Sequence, residues 1–144
     1  MGGQLGREPR RSLPSVILVD SSVWIDHLRD TATEQVSHLR SLMPGEELLA
    51  GDLVLCEVSQ RLRSDAEARL VEEALREFEV VPLVDPELAV KAAANYRFLR
   101  SLGFTVRRTI DLLVATFCIE RGHSLLHSDR DYTPMQRFLG LQTI

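Results

Sequence analysis

The sequence is poor in the residues on which much enzymatic chemistry depends. Lys91 is the only lysine, so any mechanism that needs an amine nucleophile has a single candidate. There are two cysteines, Cys56 and Cys118, and no Cys-x-x-Cys pair. The four histidines, His27, His38, His123 and His127, lack the spacing of a zinc site. Both cysteines sit among apolar residues in segments that read as helices, and both are expected to be buried free thiols. No apolar run approaches the ~20 residues that cross a bilayer. The longest near the N-terminus, Val16-Ile17-Leu18-Val19, stops at Asp20, and no export-length apolar segment follows Arg10-Arg11. These absences leave a soluble, cytoplasmic protein as the expectation. A length of 144 residues, 44% of them hydrophobic and 26% charged, suits one globular domain with a core of its own.

An excess of basic charge is also missing. The formal net charge is -4, which argues against a simple phosphate-binding surface. A divalent cation held by carboxylates would change that balance locally and attract phosphate. The charge is also uneven. Between Glu87 and Asp111 there is no acid, whereas Lys91, Arg97, Arg100, Arg107 and Arg108 fall there. The plain alternative for this stretch is a solvated helix face.

Residues 1–14 hold three glycines, two prolines and three arginines without periodicity and read as a flexible tail. From residue 15 onward, short apolar runs alternate with helical patterns. Strands are predicted at Ser15–Val19, Leu48–Ala50, Val80–Leu83, Ser124–Leu126 and Leu141–Ile144. Helices are predicted from Val23 to Leu28 and over Ala32–Met43, Asp52–Arg63, Asp65–Phe78, Asp85–Leu102 and Thr109–Arg121, with a short segment near Pro134. Pro44-Gly45, Gly103 and Gly122 act as stops. Continuous apolar strands alternating with helices predict an α/β domain over residues 15–144, with a parallel sheet covered on both faces.

Four acids stand where a protein without a site has little reason to put them. Asp20 directly follows the first strand and Asp129 follows the fourth, and open α/β sheets bind ligands beyond the carboxyl ends of their strands. Asp111 lies in the first turn of its helix, where compensation of the helix dipole, worth ~0.3–1 kcal/mol, is the ordinary role. Glu57 interrupts an apolar helix, and a buried carboxylate needs a cation or hydrogen-bond donors. Arg61, one turn later, is its ordinary partner. Asp20 has the ordinary role of capping the next helix, although Ser21 or Ser22 can fill it instead. Asp129 has the role of a turn former, and Asp131 that of a cap. Taken together, the acids suit Mg²⁺ or Mn²⁺, hard cations that take oxygen ligands, lower the pKa of bound water and stabilise charge on phosphate.

Several rival folds also place an acid after the first strand, and each lacks a necessary residue. A haloacid-type phosphatase needs a second Asp two residues on, where Ser22 stands. A response-regulator receiver needs a lysine after a late strand, and Lys91 falls within a helix. A dinucleotide-binding turn needs glycines where Asp20-Ser21-Ser22 stands, and there is no P-loop.

Four segments, in order, resemble the motifs of PIN-domain VapC toxins: Val16–Ile25 around Asp20, Cys56-Glu57-Val58, Thr109–Ala115 around Asp111, and Leu125–Tyr132 around Asp129. The resemblance covers about residues 15–144. It implies a three-layer α/β/α PIN domain with about five parallel strands. It also implies a metal-dependent endoribonuclease with Asp20 and Asp111 as principal Mg²⁺ (or Mn²⁺) ligands. Glu57 and Asp129 complete the acidic set, directly or through water, with Asp131 close by, and Ser21 or Ser22 hydrogen-bonds into it. Arg97, Arg100, Arg107 and Arg108 become the candidates for RNA contact. The implied partners are an RNA substrate (transfer RNA by family analogy), a VapB-type antitoxin and a second copy in a homodimer. A degenerate PIN-like domain that binds RNA or protein without cleaving is the alternative. Two positions depart from the pattern: Ser128 where Asn is frequent, and Tyr132 where Phe is common.

Overall fold

The computed structural model describes residues 16–42 and 48–144; the predicted tail and the Pro44-Gly45 stop lie outside them. Among the described residues five strands form one sheet: β1 (Ile17–Val19), β2 (Leu48–Gly51), β3 (Glu79–Val81), β4 (Ser124–Leu126) and β5 (Gln142–Thr143). All pairings are parallel, in the order β3-β2-β1-β4-β5. The helices are α1 (Ser21–Leu28), α2 (Glu34–Leu42), α3 (Asp52–Gln60), α4 (Asp65–Leu75), α5 (Pro86–Ser101), α6 (Thr109–Arg121) and α7 (Thr133–Phe138), with a 3-10 turn at Arg130–Tyr132. Packing divides them into two groups, as the faces of a three-layer α/β/α domain require. α1 contacts α2 and α3, and α3 contacts α4, while α5 contacts α6 and α7.

The central strand explains the core. Ile17, Leu18 and Val19 are all buried because β1 has a strand on either side and helices on both faces. Val19 pairs with Leu126 of β4, and the Asp20 N–H continues the ladder by donating to the Leu126 carbonyl at 2.9 Å. Beyond the carboxyl ends of β1 and β4 the strand order reverses. Strands β2 and β3 lie on one side of β1, and β4 and β5 lie on the other, which is where such sheets open a crevice.

Several boundaries differ from the sequence reading. β3 stops at Val81 rather than Leu83, since Pro82 has no N–H for the ladder and the Leu83 N–H donates to the Asp52 carboxylate at 3.1 Å. α4 ends at Leu75 rather than Phe78. The chain turns there, with the Phe78 N–H donating to the Leu75 carbonyl, and Phe78 packs its ring on Trp24 at 5.4 Å. α2 begins at Glu34 rather than Ala32, because the Thr33 hydroxyl accepts the Val36 N–H and fixes the helix start. Cys118 is buried as expected, but Cys56 is exposed. α3 turns Val54, Glu57 and Val58 inward, which leaves the position just before Glu57 facing solvent.

Candidate metal centre

Asp20 enters the site because β1 ends there. The residue itself is the N-cap of α1. Its Oδ2 accepts the Ser22 N–H at 3.1 Å and the Ser22 hydroxyl at 2.6 Å. Of the caps the sequence offered, the acid rather than either serine is the one used. The Ser22 Oγ accepts the Ser128 N–H at 3.2 Å, which ties the loop after β4 to the start of α1. Ser128 thus contributes through its backbone, whatever its side chain.

Glu57 projects from the inward face of α3 and is buried. Its Oε1 accepts the Ser21 hydroxyl at 3.1 Å. Arg61, the expected ion-pair partner, acts on it only as a distant positive charge, and the serine takes its place as direct partner. Burial and then the charge of Asp20 raise the Glu57 pKa. Asp111, in the first turn of α6, is 3% exposed. Its pKa is pushed up to about 7, first by burial and then by Asp20, Asp129 and Glu57, against the pull of Arg108.

Asp20, Glu57 and Asp111 each offer an oxygen within 4.8 Å of the others, and Asp111, Asp129 and Asp131 do the same. Four carboxylates therefore gather around that of Asp111. Asp129 caps the 3-10 turn, its Oδ1 accepting the Asp131 N–H at 2.9 Å. The cap of α7, which the sequence offered to Asp131, falls instead on Tyr132 with no side-chain hydrogen bond, and both acids bring an oxygen close to Asp111.

A divalent cation fits this arrangement. The donor set is wholly oxygen, as a hard cation requires. The Oδ2 of Asp111 is buried with no hydrogen-bond partner among the described residues. A carboxylate oxygen removed from water in this way is costly unless a proton or a cation meets it.

Sequence reasoning overlooked two residues here. Tyr132 is fully buried, and its hydroxyl donates to the Asp20 Oδ1 at 2.8 Å. Burial, then Asp20 and Asp111, drive its pKa far upward, so it remains a donor. The signal was available: a phenol at an apolar position after a buried strand needs a partner. His127 closes the end of β4. Its Nδ1 accepts the Asp129 N–H at 3.1 Å, and its ring lies 4.7 Å from that of Tyr132. Burial lowers its pKa, so it is held neutral with its proton on Nε2.

The basic candidates divide. Arg108 is near enough to favour the charged forms of Asp111 and Glu57, and Arg107 lines a small groove with Arg130, Asp131 and Pro134. Arg97 lines a largely apolar groove between α5 and α6, beside Tyr96 and Leu113. Arg100 is exposed in the last turn of α5.

A parallel α/β sheet with buried acids at the reversal of strand order defines an α/β protein with an acidic centre able to hold a divalent cation. The PIN domain profile matches residues 17–137, and the chain belongs to the PIN domain family. It is 31% identical over 132 residues to ribonuclease VapC11 of Mycobacterium tuberculosis, covering 88% of this chain and 96% of that protein. The same figures hold for VapC ribonuclease Mb1587 of Mycobacterium bovis. Among solved structures, VapBC2 from Rickettsia felis, bound to a DNA fragment from their promoter, superposes with a TM-score of 0.72 at 13% identity, covering 90% of this chain and 97% of that one. Mycobacterium tuberculosis VapC20, a sarcin–ricin loop cleaving toxin, superposes with a TM-score of 0.60 at 18% identity, covering 81% of this chain and 92% of that one. Among the described residues no helix is long and apolar enough to cross a membrane.

Proposed function

We infer that the chain is a metal-dependent endoribonuclease of the VapC type, a toxin that hydrolyses RNA phosphodiester bonds and is neutralised by a cognate VapB-type antitoxin. The observation that carries this reading is the buried Oδ2 of Asp111, without a hydrogen-bond partner among the described residues and set among four further carboxylates. Asp20 and Asp111 are the principal ligands of Mg²⁺, with Mn²⁺ as its substitute, and Glu57 and Asp129 complete the set. The cation, when bound, supplies charge neutralisation at phosphate and lowers the pKa of water. The protein's own groups do the rest. Ser22 and Tyr132 orient Asp20, Ser21 orients Glu57, and the burial of all three acids keeps their oxygens from being spent on bulk water. Arg107 and Arg108 border the acids and are the first candidates for phosphate contact, with Arg97 and Arg100 further along the basic stretch. The names of the mycobacterial relatives support ribonuclease action, and the VapBC assemblies support an antitoxin partner. Action in the cytoplasm and a homodimeric state follow the same family pattern, and transfer RNA is the first substrate to try.

The test is cleavage of RNA by wild type and Asp20→Asn with Mg²⁺, with Mn²⁺ and in EDTA. The variant should lose about 10²-fold or more in rate, since a principal ligand is gone. Undiminished wild-type cleavage in EDTA would refute the reading. A fully metal-bound yet inactive wild type would favour the alternative, a PIN domain that binds without cleaving.

A further inference from the structure

The Tyr132 hydroxyl sits where its ring does not need it. The residue is 0% exposed, and its ring packs against His127, so phenylalanine would fill the same volume. A buried hydroxyl is costly unless it is hydrogen-bonded, so its presence is explained by what it touches. It touches two acids of the centre: Asp20 Oδ1 at 2.8 Å and Asp111 Oδ1 at 3.4 Å. One proton cannot serve both well, and the shorter bond goes to Asp20.

The acceptor count on Asp20 shows the consequence. A carboxylate has about four acceptor positions, two on each oxygen. The Ser22 N–H and hydroxyl take both on Oδ2, and Tyr132 takes one on Oδ1. A single lone pair remains, on the oxygen nearer the phenol. Ser22 alone would hold one oxygen as a pivot and leave the other free to swing. With Tyr132 bonded, the carboxylate is held at both ends.

We propose that Tyr132 is a positioning residue of the metal centre, whose hydroxyl locks the Asp20 carboxylate so that one Oδ1 lone pair is presented beside Asp111. This rests on the metal-centre reading and adds to it a group that never touches the cation. It also gives the tyrosine found here a role that phenylalanine at the same place could not fill.

The experiment is Mn²⁺ binding to the metal-free full chain, read from the electron paramagnetic resonance signal of free Mn²⁺, for wild type and Tyr132→Phe. Melting of both metal-free proteins checks that the ring still packs. The variant should bind Mn²⁺ about tenfold more weakly, the lower end of what groups supporting metal ligands contribute. Its RNA cleavage should recover when Mn²⁺ is raised in proportion, as it would not if the hydroxyl acted on substrate. A purely structural hydroxyl would change the melting temperature and leave Mn²⁺ affinity alone. Equal affinity in the two proteins, with wild type binding Mn²⁺, overturns the positioning role and leaves the metal centre standing. If wild type binds no Mn²⁺, the metal-centre reading itself fails and the proposal falls with it.

Discussion

Asp111 concentrates the electrostatic cost of the site in one residue. Its carboxylate is removed from water, faces Asp20, Asp129 and Glu57, and has a pKa raised to about 7 from the ordinary 3.8. An acid whose folded-state pKa lies above its unfolded value supports folding fully below the unfolded pKa. That support is lost as pH rises through the folded pKa. In the metal-free protein the Asp111 contribution should therefore worsen from about pH 4 to pH 7 and level off above. Asp111→Asn removes it. In EDTA the variant should melt higher than wild type at pH 8, by about 2–4 °C for each kcal/mol relieved, and the gap should close toward pH 4. Thermal melts across that range check the sign, and a variant that melts lower at pH 8 would make Asp111 a structural residue. Added Mg²⁺ should reverse the order at pH 8, because it stabilises only the protein that retains the ligand.

At the scale of elements, the junction of β2 and α3 sets where Glu57 points. Gly51 ends β2 and is the N-cap of α3. A Cβ built there would meet the Leu83 side chain at 2.6 Å. The Asp52 carboxylate accepts the Leu53 N–H at 2.8 Å and the Leu83 N–H at 3.1 Å, so the segment after β3 is clamped to the start of α3. Gly51→Ala must push Leu83 out of a buried position, an overpacking change that costs about 1–3 kcal/mol. Urea unfolding should show a lower midpoint with an unchanged slope. A midpoint equal to wild type would mean that Leu83 can swing aside. This clamp was not legible in the sequence, because it depends on two segments some thirty residues apart. The elements were legible where a local rule sets them. Asp85 caps α5, whose second position is Glu87 after Pro86, and Gly122 ends α6 in the left-handed conformation. They were misjudged where tertiary contact overrides local pattern, as at Phe78, whose apolar side chain extended the apparent helix but packs on Trp24 after the turn.

At the scale of the whole molecule, the chain unites acids from distant positions by topology. That Asp20 and Asp129 end neighbouring strands follows from β1 pairing with β4, which the sequence could state only as a condition. The hydrogen bonds that join them, Tyr132 to Asp20 and Ser128 to Ser22, span more than a hundred positions, so a local pattern could signal that Tyr132 needs a partner but not which one. The same convergence makes a strongly negative end on a molecule of net charge -4 that is to bind a polyanion. On the proposed function, attraction must then come from a cation at the acids and from basic side chains beside them, and Arg107, in a groove with Asp131, and Arg108, acting on Asp111, are the first candidates. Each phosphate contact made by a basic side chain steepens the dependence of log K on log salt by roughly 0.7 for single-stranded nucleic acid. Binding of RNA to the Asp20→Asn protein, which should not cleave it, measures that slope without turnover. Replacing both Arg107 and Arg108 by alanine in this background should flatten the slope by roughly 1.4 if each meets one phosphate. An unchanged slope, together with a flattening when Arg97 and Arg100 are replaced instead, would route the RNA over α5 and away from the loop that carries Arg107 and Arg108.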